Sequence, residues 1–205
     1  MSRLFLDNSL LIAKGGERAC YVHPNDDTKV IKILYSNLDK HNNQNKLEFI
    51  YMNYLKKKKV DISYVTDCYG YIQTNLGEGL VFDRVLDYDG IPSKSFRYYL
   101  ANKMISEELQ QKLLDELKNN IQENLILFID TSLTNIFCQK IADNQYKLII
   151  VDGLGAKRLG IKFFLYRQSK IYTKYKIKRQ WAKLMKMYNR DIIRARLGER
   201  PFTRL

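Results

Sequence analysis

The chain has few of the residues that build metal sites and covalent staples. Of its 205 residues, three are cysteine and two are histidine. Cys20, Cys68 and Cys138 are an odd set without metal-ligand spacing, and they read as free thiols of a reducing cytoplasm. His23 and His41 stand far apart with no acid or cysteine pattern beside them, which argues against a dedicated zinc site. No apolar run approaches the ~20 residues of a membrane-spanning helix. The short apolar stretch near the N-terminus is broken by Asp7-Asn8 and lacks a small-residue cleavage site, so no signal peptide is expected. Internal repeats and long low-complexity segments are also missing. Acids are scarce in one region only. Residues 157–205 hold 16 Lys and Arg against two acids, Asp191 and Glu199, whereas residues 1–156 hold 19 basic and 20 acidic residues. That asymmetry marks an anionic partner for the C-terminal quarter: membrane surface, nucleic acid, phosphorylated glycan or acidic protein.

What the chain does have is a spaced set of acids and one amide. Asp130 is followed five residues later by Asn135, and Asp152 opens Asp152-Gly153-Leu154-Gly155. Such a set can form one site: one carboxylate takes a proton from a hydroxyl while an amide and a second carboxylate hold Mg²⁺ on a nucleotide triphosphate. The apolar run Leu125–Ile129 predicts a strand leading into Asp130. Ile136-Phe137-Cys138, a turn at Asp143-Asn144-Gln145 and Leu148–Val151 predict a hairpin whose second strand ends on Asp152. Asp and Asn are also ordinary turn residues, so this pattern needs support from upstream.

Upstream, Val30-Ile31-Lys32-Ile33-Leu34 is a β-branched strand with one lysine, similar to the Val-Ala-Ile-Lys strand of protein kinases, where the lysine pairs with the α- and β-phosphates. Asn37 to Asn45 reads as a polar loop. Glu48 follows on a helix whose Leu47, Ile50, Tyr51, Tyr54 and Leu55 make one apolar face, close enough for Glu48 to reach a lysine on a strand beneath. Gly15-Gly16 predicts a hairpin turn that also allows backbone N–H groups to approach a phosphate, with Ala13 and Arg18 at the positions where a glycine-rich loop has its other glycines. Tyr69–Thr74 and Gly79–Phe82 predict paired strands, and Asp83–Pro92 a connector.

The order of these features matches the protein-kinase-like fold. More narrowly, Cys20-Tyr21-Val22-His23-Pro24, Ile31-Lys32-Ile33, Phe82-Asp83 with Asp87-Tyr88-Asp89-Gly90, Asn135-Ile136-Phe137-Cys138 and Asp152-Gly153-Leu154-Gly155 resemble the PhoP regulatory network protein (YrbL-like) family, a small bacterial branch of that superfamily, over residues 10–156. The resemblance implies an α+β, two-lobed fold, with a small β-rich N-lobe at 1–85 and a shortened helical C-lobe at 86–205. It implies ATP and Mg²⁺ as cofactors and phosphoryl transfer to a hydroxyl, with an envelope sugar or glycolipid as acceptor. Asp130 would take the proton, Asn135 and Asp152 would hold the metal, and Lys32, positioned by Glu48, would hold the phosphates. Gly15 and Gly16 would cover those phosphates, and the backbone from Asp83 to Val85 would hold adenine. The pattern also departs from the kinases. Phe128-Ile129 stands where His-Arg precedes the catalytic Asp, and Ser132 stands where a lysine follows it, leaving Lys157 or Arg158 to supply that charge. No Ala-Pro-Glu segment follows Asp152. The alternative is a pseudokinase scaffold that binds an anionic partner through its basic tail, and a third class is a nucleic-acid-binding protein.

Two further helices are legible. Ser106 with Glu107-Glu108 is a helix start, and Leu109, Leu113, Leu114, Leu117 and Ile121 share a face of the helix that follows. In the basic tail Trp181, Leu184, Met185, Tyr188 and Ile192 form an inward stripe, with Lys178, Arg179, Lys183, Lys186 and Arg190 outward. A basic amphipathic helix suits anionic lipid or nucleic-acid phosphate, and periodicity does not separate the two. The expected location is the cytoplasm, with peripheral attachment at the inner face of the membrane as the variant that lipid binding would give.

Overall fold

The computed structural model describes residues 3–35, 43–158 and 160–199. The structure is α+β with two antiparallel sheets. After a 3-10 turn at Asn8–Leu10 come β1 (Leu11–Lys14), β2 (Arg18–His23) and β3 (Asp26–Leu34), then helix α1 (Gln44–Lys57), then β4 (Cys68–Thr74) and β5 (Gly77–Asp83). These strands form one sheet in the order β1-β2-β3-β5-β4. The rest comprises β6 (Lys94–Ser95), α2 (Phe96–Ala101), α3 (Glu107–Glu123), β7 (Ile136–Ala142), β8 (Gln145–Ile150), α4 (Ile161–Gln168) and α5 (Lys170–Arg196). Strands β6, β7 and β8 make the second sheet.

Alternation along β3 explains its β-branched run. Successive side chains point to opposite faces of a strand. Ile31 and Ile33 face one side, where they pack with Leu6 and Val81 in a small core. Val30 and Lys32 face the other, alongside Leu80 and Phe82 of β5, where α1 covers the sheet. Both faces are buried, so Lys32 lies on a covered face of the strand and not on a solvated one. Gly79 of β5 leaves room for this packing, because a Cβ at that position would stand 2.4 Å from Ile31 Cγ2 and force the isoleucines to shift.

Helix α1 begins earlier than the sequence suggests. The Asn43 side chain accepts the Lys46 N–H at 2.8 Å, an N-cap that starts the helix at Gln44. Asn45, expected in a loop, is therefore a buried helical residue, while residues 36–42 and His41 among them lie outside the described residues. The helix buries Leu47, Glu48, Tyr51, Met52 and Leu55. Helix α3 is capped as expected: the Ser106 hydroxyl accepts from Leu109 N, and Leu113, Leu114, Leu117 and Ile121 are buried.

The run Leu125–Ile129 does not form the strand expected of it. Its backbone groups find other partners, leaving a single bridge between Phe128 and Leu154. Ile126 N–H donates back to the end of α3, Leu127 N–H donates to the buried Tyr51 hydroxyl at 2.7 Å, and Ile129 N–H donates to Gly153 O at 2.8 Å. The segment is satisfied by a helix end, a side chain and a loop, so it needs no ladder. The hairpin β7–β8 forms as expected, with Asn144 in its turn at φ 56°. In α5 the stripe Leu184, Tyr188 and Ile192 is buried, and Lys178, Arg179, Lys183, Lys186 and Arg190 are exposed. Asp191, fully buried on the same helix, pairs with Arg97 of α2 at 3.0 Å.

Candidate functional site

Four charged side chains from four elements meet beneath the first sheet. Lys32 on β3 places Nζ 3.4 Å from Glu48 Oε2 on α1, 3.7 Å from Asp152 Oδ1 and 2.9 Å from Val151 O. The same ammonium lies 4.2 Å from the centre of the Phe82 ring. The sequence predicts the approach of Glu48 to Lys32, and it predicts Asp152 at the end of β8. It does not single out Arg18 as a site residue. From the start of β2 the Arg18 guanidinium donates to both Glu48 oxygens, at 2.7 and 3.3 Å, to Asp152 Oδ1 at 2.6 Å and to Asn45 Oδ1 at 3.1 Å. The strand register accounts for its position. Arg18 and Cys20 alternate onto the same face of β2, and Cys20 is the cross-strand partner of Lys32.

The electrostatics follow from burial and pairing. Arg18 and Glu48 are almost fully buried, whereas the Asp152 side chain is 36 % exposed. Burial pushes the Glu48 carboxyl above its ordinary range, against the opposing pull of Arg18 and Lys32. For Asp152 burial also acts upward, but the charges of Lys32 and Arg18 and the Gly153 N–H outweigh it and hold the carboxyl well below the usual carboxylate range. Two cations on two carboxylates make a cluster that is electrically neutral by itself.

Asp130 and Asn135 are joined to this cluster through the Asp152 loop. Ile129 and Asp130 N–H both donate to Gly153 O, Gly155 N–H donates to Leu127 O, and Val151 N–H donates to Asn135 O. Gly153 sits at φ +85°, and a Cβ there would stand 2.9 Å from Asp130 Cβ. The two segments can approach this closely only because that residue is glycine. Gly155, at φ +82°, lies as close to the Tyr51 ring. Asn135 donates its amide nitrogen to Asp130 O at 3.0 Å, which leaves its amide oxygen as the atom to offer a cation. The Asp130 side chain is 60 % exposed, and Lys157 Nζ lies 3.9 Å from its Oδ1. Asp130, Glu48, Gly153, Lys157 and Arg158 line a cavity of about 250 Å³. Lys157 thus brings a cation beside the exposed Asp130 carboxylate.

Not every residue singled out in the sequence joins this set. Asp83 and Val85 line a second, larger cavity of about 800 Å³ with Thr28, Lys29 and Gln139. The Asp83 carboxylate is engaged there by Lys29 Nζ at 2.7 Å, Tyr69 Oη at 2.9 Å and Asp67 N at 2.9 Å. Gly15 and Gly16 form the β1–β2 turn, closed by Gly15 N–H to Arg18 O at 2.8 Å, and line neither cavity. Among the described residues no three His, Cys, Asp or Glu side chains stand together as a metal cluster. Asp152 offers one carboxylate and Asn135 one amide oxygen, the donor types of a Mg²⁺ shell that phosphates and water complete. A cation on Asp152 has to share that carboxylate with Arg18.

No described helix is long and apolar enough to cross a membrane. The chain is 29% identical over 150 residues to the uncharacterized protein YrbL of Escherichia coli (strain K12), an alignment that covers 72% of this chain and 71% of the relative. The YrbL protein of Shigella flexneri matches over the same length with the same identity. The family model described as PhoP regulatory network protein YrbL matches residues 4–189. This span contains Arg18, Lys32, Glu48, Asp130, Asn135 and Asp152, and the chain belongs to the PhoP regulatory network protein YrbL family.

Proposed function

We propose that the chain is an ATP- and Mg²⁺-dependent phosphotransferase to a hydroxyl acceptor, built as a two-lobed kinase-like fold with residues 1–85 and 86–205 as its lobes. The observation that carries this reading is the convergence of Lys32, Glu48 and Asp152 in one buried cluster, locked through Gly153 to Asp130 and through Val151 to Asn135. Phosphoryl transfer asks the protein mainly for positioning and charge. Lys32, fixed between Glu48, Val151 O and the Phe82 ring, is a preorganised donor for the α- and β-phosphates. Asp130, exposed on the cavity wall, orients the acceptor hydroxyl and accepts its proton. Lys157, beside it, is placed to hold a negatively charged oxygen of the transferring group or the acceptor. Mg²⁺ held by Asp152 and the Asn135 amide oxygen would neutralise the phosphate oxygens. The backbone from Asp83 to Val85, the segment expected to hold adenine, lines the other cavity, and its Asp83 and Arg84 N–H groups are already given to Asp67 O and Thr28 O. By analogy with small kinase-like enzymes, an envelope sugar or glycolipid is the acceptor class.

One observation favours a second reading. Arg18 engages the carboxylates of both Asp152 and Glu48, so the cluster is neutral without any metal. A chain that keeps this arrangement with nucleotide present is a pseudokinase scaffold that serves a partner. Following the γ-phosphate of labelled ATP separates the two. The catalytic reading expects transfer by the wild type and its loss in Asp130→Ala with nucleotide binding retained. Nucleotide binding without transfer in the wild type, across an acceptor panel of envelope sugars, gives the scaffold reading instead.

A further inference from the structure

The outward surface of α4 and α5 carries features that phosphoryl transfer does not use. Helix α4 turns Phe163 and Tyr166 into the core, yet leaves Ile161 80 % and Phe164 60 % exposed. Helix α5, 27 residues and roughly 40 Å long, continues the pattern. Ile171, Tyr175, Lys178, Ala182, Lys186 and Ile193 are all exposed, and at 100° per residue they fall along one strip opposite the buried stripe. Ile171 is 84 % exposed. Lys174, Arg179 and Lys183 flank that strip, also exposed. The helix has a single acid, Asp191, which is fully buried against Arg97, so its outward face bears positive charge alone.

We infer that this surface docks on a bilayer containing anionic lipid, with the aliphatic and aromatic side chains of α4 and the start of α5 entering the headgroup region and the lysines resting on lipid phosphates. Two features select this occupant. Neutralisation of nucleic-acid phosphates accounts for the cations but leaves Ile161, Phe164 and Ile171 without a partner. A folded protein partner would account for the apolar groups, but the cations here are mostly lysine, which protein interfaces deplete. A long helix with lysines flanking exposed large apolar residues is the pattern of an interfacial helix. The surface also adjoins the site. Lys157, which lines the cavity beside Asp130, precedes Ile161 by four residues in the chain. The inference does not depend on catalysis.

The test is sedimentation of the full chain with phosphatidylcholine vesicles, with and without phosphatidylglycerol. A parallel arm measures binding to poly(U) RNA. The expected result is binding to the phosphatidylglycerol vesicles that falls with salt and is weak to phosphatidylcholine alone. Lys178→Gln with Lys186→Gln should weaken partitioning about thirtyfold, roughly fivefold per cation. Phe164→Ser with Ile171→Ser should weaken it at low salt as well, and should leave thermal unfolding unchanged. Absence of vesicle binding overturns the inference. So does vesicle binding untouched by the serine substitutions, or binding to RNA without binding to vesicles, either of which reports a charge-only surface.

Discussion

Replacing Arg18 with alanine removes the guanidinium that holds the buried cluster together, and the structure sets the size of the effect. Arg18 makes the two shortest contacts in the cluster, 2.7 Å to Glu48 and 2.6 Å to Asp152. Losing one partner of a buried ion pair costs about 3–5 kcal/mol, because the other charge is stranded. Asp152 is partly exposed and can be rehydrated, so its share is small. Glu48 is buried but keeps Lys32 at 3.4 Å. The expected loss is therefore near the low end, about 3 kcal/mol, or roughly 6–12 °C in Tm for a chain of this size. The pH dependence adds a signature. Burial already raises the Glu48 pKa, and removing Arg18 raises it further. A carboxyl whose folded-state pKa lies above its unfolded value stabilises the fold below the unfolded value and loses that contribution as pH rises through the folded one. The deficit of Arg18→Ala is then greatest at neutral pH and shrinks on acidification. Urea unfolding followed by circular dichroism at neutral and acidic pH reads both quantities. The pair Arg18→Met with Glu48→Leu should recover part of the loss, since an apolar pair of similar volume strands no charge. A loss within about 0.5 kcal/mol at neutral pH, the range of ordinary surface substitutions, would refute the buried cluster.

Three other outcomes follow from the same geometry. Gly153→Ala forces a side chain at φ +85° and 2.9 Å from Asp130 Cβ, so urea unfolding should register a loss of about 1–3 kcal/mol, whereas Gly16→Ala, where a Cβ meets nothing within 4 Å, should be near neutral. Leu184→Ala, at a fully buried position of α5, should cost about 2–5 kcal/mol by the same assay and show that the basic helix is part of the core. Burial pushes the Cys20 thiol up to about 11 and the Cys138 thiol up to about 12, so both should resist a thiol reagent at mildly alkaline pH and react once the chain unfolds.

Much of the arrangement was legible because it rests on local rules. The β7–β8 hairpin shows as two apolar runs around a polar turn, and its second strand ends at Ile150, two residues before Asp152. The capping serine and the 3.6-residue periodicity mark α3, and periodicity alone marks the inward stripe of α5. Lys32 on a strand and Glu48 on the helix that covers it follow from two local patterns, a β-branched run and a helical apolar face. What escaped depended on tertiary partners. Arg18 stands where a glycine loop has a glycine, and only the fold turns it onto two carboxylates from other elements. The segment Leu125–Ile129 has the composition of a strand, yet its N–H groups are taken by Tyr51 and Gly153, which no local pattern reveals. The exposed face of α4 escaped for a related reason. Its apolar residues run all round the helix, so the sequence does not say which of them the core leaves out.

The proposed phosphotransferase requires that Asp152 and Lys32 form a nucleotide–metal site. Its most direct test is thermal unfolding with ATP, with and without Mg²⁺, on the wild type and on Asp152→Asn. At about 100 times the dissociation constant, bound ligand adds roughly 2.7 kcal/mol of stability. The expected result is a Mg²⁺-dependent rise in Tm for the wild type that Asp152→Asn loses. Equal Tm with and without ATP and Mg²⁺ in the wild type, or a rise that survives in Asp152→Asn, would contradict it.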